Sequence, residues 1–482
     1  MAARRDARNL SPDHAPDHAP DRTPASAPEA HISIHYVVVP AMARRKLPDP
    51  VFLLAGGPGQ SAISAAAQLL PLFSRLNNRR DIVFVDQRGT GRSAPLDCPD
   101  RADPNDPYDA DLDQQVKQLL ACQAALLKRP YLRTPADLGH FTTTLAMHDL
   151  DAVRAQLDAP RINLIGISYG TRAALEYMRL YPQAARRSVL DAVAPPDMAL
   201  PASMSTDAQA AWDGWLSFCE RDAACHADHP RLRGTWAALL QSLPKTVTVT
   251  APHSGLPQRL RLTRATLLGA VRGAMYVPAV AAALPAALDA AAAGRWEALL
   301  GLGALQRSRP DLQPALGMHF SVVCAEDMGM GMDTGMNVAA PGVANAPGAD
   351  FGSIGAALYQ RVCARWPRGA VPAAFHKIAT TATPTLLFSG GLDPATPPRH
   401  GTRVAQALGS AAQHVVVANA GHGVLGIGCA RDVVFRFIDA VDDRAATHVD
   451  ASCLNSIPHP PAFAPARPPA LAPARAPIRS AP

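Results

Sequence analysis

The chain has 482 residues, 48% hydrophobic and 18% charged, with 46 Pro, 33 Gly and eight Cys. That apolar content excludes a wholly disordered chain, and the lack of a Gly period excludes a collagen-like one. The formal charge of +6 is not gathered on one face: residues 458–482 carry +3, residues 1–30 carry −1, and both signs mix elsewhere. No nucleic-acid partner is expected from such a distribution.

Residues 1–30 contain the tandem repeat Pro12-Asp13-His14-Ala15 and Pro16-Asp17-His18-Ala19, with almost no large apolar residue, and are expected to be disordered. Alternation over Ile32, Ile34, Tyr36 and Val38 predicts a half-buried strand ending at Pro40. Two continuous apolar runs follow, Val51 to Leu54 and Ile82 to Val85, with a third, Ile162 to Ile165, broken by Asn163, and each stops at a Gly-rich or polar turn. The third is followed by a helix to about Leu180. Short apolar strands separated by helical stretches predict an α/β chain with a parallel sheet covered on both faces.

Between about Asp197 and His376 the texture becomes helical, with periods at Asp207 to Glu220, Arg231 to Ser242, Thr263 to Tyr276 and Gly355 to Arg365. Thr246 to Thr250 reads as an edge strand and Gly329 to Gly348 as a mobile loop. The most apolar stretch, 277–293, is broken by Pro278, Pro285 and Asp289, so no membrane span is expected. Two late strands, Pro384 to Ser389 and His414 to Ala418, return to the sheet pattern. The expected organisation is therefore a disordered 1–30, a core in two parts, 31–196 and 377–457, an inserted helical cap at 197–376, and a Pro-rich tail at 458–482. The cap is not expected to be a separate fold.

The strongest chemical signal is Gly166-Ile167-Ser168-Tyr169-Gly170, a G-x-S-x-G pattern with a strand before it and a helix after it. A nucleophile on such a sharp turn has a strained backbone, and small residues two positions either side let strand and helix approach. Serine needs a base, and the base needs an acid to fix its tautomer. Asp393 follows the first late strand, and His422, in Gly421-His422-Gly423, follows the second, which gives the order Ser, Asp, His. Each residue alone has a plainer reading as a turn residue; their joint placement favours the catalytic one. Backbone amides of Tyr169 and of Gly57, in the Ala55 to Gly59 turn, are the expected oxyanion donors, since Pro58 has no N–H. Gly421 to Gly426 also satisfies the dinucleotide pattern G-x-G-x-x-G, but too few residues follow for the rest of that unit.

The eight Cys, Cys98, Cys122, Cys219, Cys225, Cys324, Cys363, Cys429 and Cys453, form four consecutive pairs closing short to moderate loops, none in a C-x-x-C spacing. About a hundred connectivities are open to eight cysteines, and eight reduced, buried thiols are the alternative. Disulfides would place the chain in an oxidising compartment, periplasmic or extracellular. The sequence as given shows no apolar signal segment, which leaves the cytoplasm open and suggests a start upstream of Met1 or a signal already removed.

Ala55 to Ser61, Asp86 to Ser93, Gly166 to Arg172 and Ser389 to Pro398 together resemble the alpha/beta-hydrolase fold peptidases of the prolyl and tripeptidyl aminopeptidase type. The resemblance covers about Ile34 to Ile457. It implies the alpha/beta-hydrolase fold, a mostly parallel sheet flanked by helices and carrying a mainly helical cap. It also implies cleavage near the free N-terminus of peptides, Ser168 as nucleophile with Asp393 and His422, and no cofactor or metal. The tripeptidyl branch is nearer: its paired cysteines resemble Cys98/Cys122, Cys324/Cys363 and Cys429/Cys453, and its members are typically exported. Where the family usually has His before Gly-Gly-Pro-Gly, this chain has Ala55, and the segment ahead of that turn offers one strand where the fold usually has two.

An enzyme of this kind must hold a protonated amine, and a partly buried carboxylate does so through charge-assisted hydrogen bonds. Glu326 and Asp327, beside Cys324, are the expected pair. Fold and triad do not fix the substrate, so a carboxylic ester hydrolase is the alternative and a non-catalytic binding protein a more distant one. A cap without a carboxylate near the site would favour the ester reading.

Overall fold

The apolar runs become central strands because alternate side chains enter cores on opposite faces. In the computed structural model, Phe52, Leu54, Val83 and Val85 join one core cluster, and Val51, Leu53, Ile82 and Phe84 join the other. The structure describes residues 31–98, 112–250, 255–305, 313–328, 350–352 and 355–463. The expected disordered 1–30, the expected mobile loop and residues 464–482 of the tail lie outside the described residues.

The strands are β1 (Tyr36–Val39), β2 (Val51–Leu54), β3 (Ile82–Val85), β4 (Ile162–Ile167), β5 (Ala185–Asp191), β6 (Lys245–Thr250), β7 (Pro257–Leu262), β8 (Thr385–Gly390) and β9 (Ala412–Val417). Seven form one sheet in the order β1-β3-β2-β4-β5-β8-β9. Only β1 runs antiparallel to its neighbour; the other pairs are parallel. Ligand sites of such sheets gather at the carboxyl ends of the strands, and Ser168, Asp393 and His422 each follow such an end.

Thr246 to Thr250 is an edge strand, of a separate hairpin: β6 pairs antiparallel with β7 inside the insertion. β5, with the sequence Ala-Arg-Arg-Ser-Val-Leu-Asp, is a central strand that its two arginines hide from an apolar reading. Arg187 is 1% exposed; its guanidinium donates to the carbonyls of Phe437, Ile438, Ala440 and Asp442 and lies 3.6 Å from Asp443 Oδ1. It thereby caps the C-terminal end of the helix Ala430–Asp439.

The insertion between β5 and β8 divides by packing. Its helices Ala202–Arg221, Leu232–Gln241, Arg264–Met275 and Leu284–Ala292 enclose their own core around Trp212, Trp215, Trp236 and Trp296. The expected cover is thus a unit with its own hydrophobic centre. The helix Leu316–Glu326 and residues around Tyr359 and Trp366 instead pack with Leu96, Cys122, Phe141 and Tyr169 of the sheet domain. A buried carboxylate also joins the two parts: Asp207 accepts from Arg399 and pairs with His400 at 2.9 Å. The first residues of the Pro-rich tail are packed as well, with His459 stacked on Phe218 at 3.5 Å and Phe463 N donating to Ala282 O.

All eight cysteines pair with their sequence neighbours, Cys98–Cys122, Cys219–Cys225, Cys324–Cys363 and Cys429–Cys453. A crosslink closing a loop of 24 residues removes chain entropy equivalent to about 3 kcal/mol. Among the described residues no helix is long and apolar enough to cross a membrane.

Candidate active site

Ser168 sits between the end of β4 and the helix Tyr169–Leu180 with φ +56° and ψ −123°. A non-glycine residue held there stores about 1–3 kcal/mol of strain, which the surroundings must over-determine. They do so through hydrogen bonds: Ser168 N donates to Asp191 O at 2.9 Å, and Ser168 O accepts from Thr171 N and Thr171 Oγ1. The flanking glycines are required by space. A Cβ on Gly166 would lie 2.4 Å from Gly170 O, and one on Gly170 would lie 2.1 Å from Leu54 O of β2.

Asp393 and His422 are brought together as expected. His422 Nδ1 lies 3.0 and 2.9 Å from the two oxygens of Asp393. The carboxylate also accepts from Ala395 N, Thr396 N and Thr396 Oγ1. Burial alone would raise the Asp393 pKa, but the facing His422 and these donors outweigh it and hold the group below the usual carboxylate range. An ionised Asp393 accepts from Nδ1–H and so leaves Nε2 as the free base. Burial works against a charged His422, yet Asp393 overcomes it and raises the imidazole pKa above its ordinary value.

The Gly-rich turn lies beside the nucleophile: a Cβ on Gly56 would come within 3.2 Å of Ser168 Cβ. Gly57 is exposed with φ +111°, and among the described residues neither its N–H nor that of Tyr169 meets a backbone acceptor. The turn is backed by His319, whose Nδ1 faces Pro58 O at 3.3 Å and whose Nε2 lies 2.8 Å from Tyr359 Oη. A carbonyl only accepts, so Nδ1 carries the proton and Nε2 accepts from the Tyr359 hydroxyl.

Glu326 and Asp327, the expected amine-binding pair, are near Tyr169 and face inward, more deeply buried than a partly buried pair. They are 1% and 2% exposed. Arg172, one turn after Ser168, takes Asp327 Oδ1 at 2.8 Å and lies 3.8 Å from Glu326 Oε2. Glu326 accepts from Thr143 N at 2.6 Å and Thr143 Oγ1 at 2.9 Å, and Thr143 Oγ1 lies 2.6 Å from Tyr169 Oη. Two carboxylates share one guanidinium in a buried site, and burial pushes Glu326 up to about 7 against the pull of Arg172. The cluster anchors the ring of Tyr169, whose amide is a candidate oxyanion donor.

Two residues escaped the sequence reading. Asp191, at the end of the hidden strand β5, accepts from Val424 N with both oxygens, at 2.8 and 2.9 Å, and from Leu425 N at 3.0 Å. Through its own carbonyl it also holds Ser168 N, so one residue fixes both the nucleophile turn and the His422 loop. Burial raises its pKa to about 6 against those N–H donors. Tyr276, from the insertion, accepts His422 N–H on its carbonyl at 2.9 Å and packs its ring against the imidazole at 4.8 Å. Asp191→Ala is expected to lower kcat by about tenfold to a hundredfold with little change in KM, because small displacements of a base are that costly. Asp191→Asn, which keeps one acceptor, should lose less; steady-state kinetics showing neither variant impaired would contradict the positioning role.

Comparison with known proteins shows the fold family. The profile of a family described as alpha/beta hydrolase fold matches residues 49–427. A tripeptidyl aminopeptidase of Streptomyces lividans is 30% identical over 207 residues, 39% of this chain and 38% of the relative. The chain is therefore matched over well under half of that protein's length. The serine protease Hip1 of Mycobacterium tuberculosis is 26% identical over 385 residues, 73% of this chain and 71% of the relative. A solved proline iminopeptidase-related protein of Thermus thermophilus shares 14% identity over 82% of this chain and 88% of its own, with a TM-score of 0.30.

Proposed function

Because the chain belongs to the alpha/beta hydrolase fold family, we propose that it is a serine peptidase of the aminopeptidase type, releasing proline or short units from peptide N-termini. The observation that carries the reading is the His422–Asp393 pair fastened through Asp191 to the strained turn of Ser168. In this reading Ser168 Oγ attacks the scissile carbonyl while His422 Nε2 takes its proton. The amides of Gly57 and Tyr169 hold the oxyanion. His422 then protonates the leaving amine, and water, deprotonated by the same imidazole, hydrolyses the acyl-enzyme. Peptidase names among the relatives support the substrate class. Four disulfides support an exported protein.

One observation favours the second reading, an ester hydrolase: the carboxylates expected to bind a substrate amine are already engaged by Arg172 and Thr143. Chromogenic amides of proline and of a tripeptide, each with a free or a blocked amine, decide between the two beside a short-chain ester. The free-amine amides are expected to be cleaved at least about tenfold faster in kcat/KM, a difference of one charge-assisted contact. Equal rates for free and blocked forms, with the ester turned over fastest, would overturn the aminopeptidase assignment.

A further inference from the structure

The insertion brings one cation to the catalytic histidine. Arg272 lies in the last turn of the helix Arg264–Met275, with its guanidinium carbon 5.2 Å from the centre of the Tyr276 ring. Tyr276 is the residue whose ring and carbonyl both meet His422. Other buried or half-buried arginines have taken carboxylates: Arg80 and Arg172 two each, and Arg88, Arg154 and Arg179 one each. Arg272 has none among the described residues, and its Nε is shut off from solvent without an acceptor. A buried donor left so is uncommon and calls for an explanation.

A cation in the last turn of a helix does complement the helix dipole. Here the terminal carbonyls are already used, since Gly273 O, Ala274 O and Tyr276 O accept from Tyr276 N, Val277 N and His422 N. The charge also acts against protonation of His422, though Asp393 outweighs it. A guanidinium in that position suits a planar anion, which it binds through two parallel N–H donors.

We propose that Arg272 binds a carboxylate of the substrate on the leaving-group side of the scissile bond, so that the enzyme favours short peptides ending close to that bond. The proposal rests on the hydrolase reading above. The test compares kcat/KM for a short peptide with a free C-terminal carboxylate, its C-terminal amide, the same amide carrying a Glu side chain at its last residue, and a neutral chromogenic amide. Wild type is expected to prefer the free acid over the plain amide by about tenfold or more. Arg272→Gln should reduce that ratio to below about twofold and Arg272→Lys leave it in between, since a point charge keeps attraction without the planar fork. The Glu-bearing amide shows whether the main-chain or a side-chain carboxylate is taken. A ratio is independent of how much variant folds. A wild-type ratio near one, or an equal ratio in Arg272→Gln, overturns the proposal while turnover of the neutral amide leaves the hydrolase reading standing. No turnover of any substrate by wild type overturns both.

Discussion

Replacing Ser168 with Ala is expected to lower kcat by about ten-thousand-fold or more, with KM and the melting temperature little changed. The prediction follows from the division of labour in the site. Binding and the oxyanion amides act without the hydroxyl, but no other group stands on the turn between β4 and the helix Tyr169–Leu180 to form an acyl-enzyme. The backbone at that position is held by Asp191 O and by Thr171, neither of which uses the serine side chain. Alanine therefore removes the nucleophile without removing the turn. Steady-state kinetics and thermal unfolding on the same preparation check both halves. A variant retaining a tenth of the activity would place the chemistry elsewhere.

Asp393→Asn is expected to cost about ten-thousand-fold in kcat for a different reason. The amide is the same size, so the packing survives, but it can present an N–H to His422 Nδ1 and turn the imidazole to the tautomer that has no free base at Nε2. It also removes the charge that raises the His422 pKa. The sign is then fixed. His422 acts as a base only when neutral, so activity is lost as pH falls through its pKa, and in wild type that limb lies above the ordinary histidine value. In the Asn variant burial and Arg272 oppose the charged imidazole with only Asp191 left to favour it, and the limb of the residual activity should move to lower pH. A kcat/KM profile with an unmoved acid limb would show that Asp393 does not govern His422.

Much of the candidate site is legible in the sequence because the chemistry is carried by local patterns. Ser168 is marked by glycines that space demands, and Asp393 and His422 by their order after apolar strands. The neighbouring cysteine pairs were not fixed by spacing, which leaves about a hundred connectivities open; the family resemblance implied three of them, and the fold closes all four. What escaped depends on distant partners. β5 is masked by Arg186 and Arg187, and Arg187 is tolerable in a central strand because carbonyls 250 to 255 residues away and Asp443 receive it. With β5 hidden, Asp191 was hidden too. The helix Leu316–Glu326 turns Glu326 and Asp327 inward because Arg172 waits there, and no local spacing announces that partner. Tyr276 and Arg272 read as ordinary helix-end residues until the insertion folds back onto the His422 loop.

The central claim is a covalent one, that Ser168 is the nucleophile activated by His422, and an active-site-directed organophosphorus fluoride tests it directly. After incubation of the protein with the reagent, intact mass followed by peptide mapping is expected to show one adduct per chain, on the peptide containing Ser168, formed more slowly when substrate is present. An unmodified chain after prolonged exposure, or an adduct confined to another residue, would contradict the account.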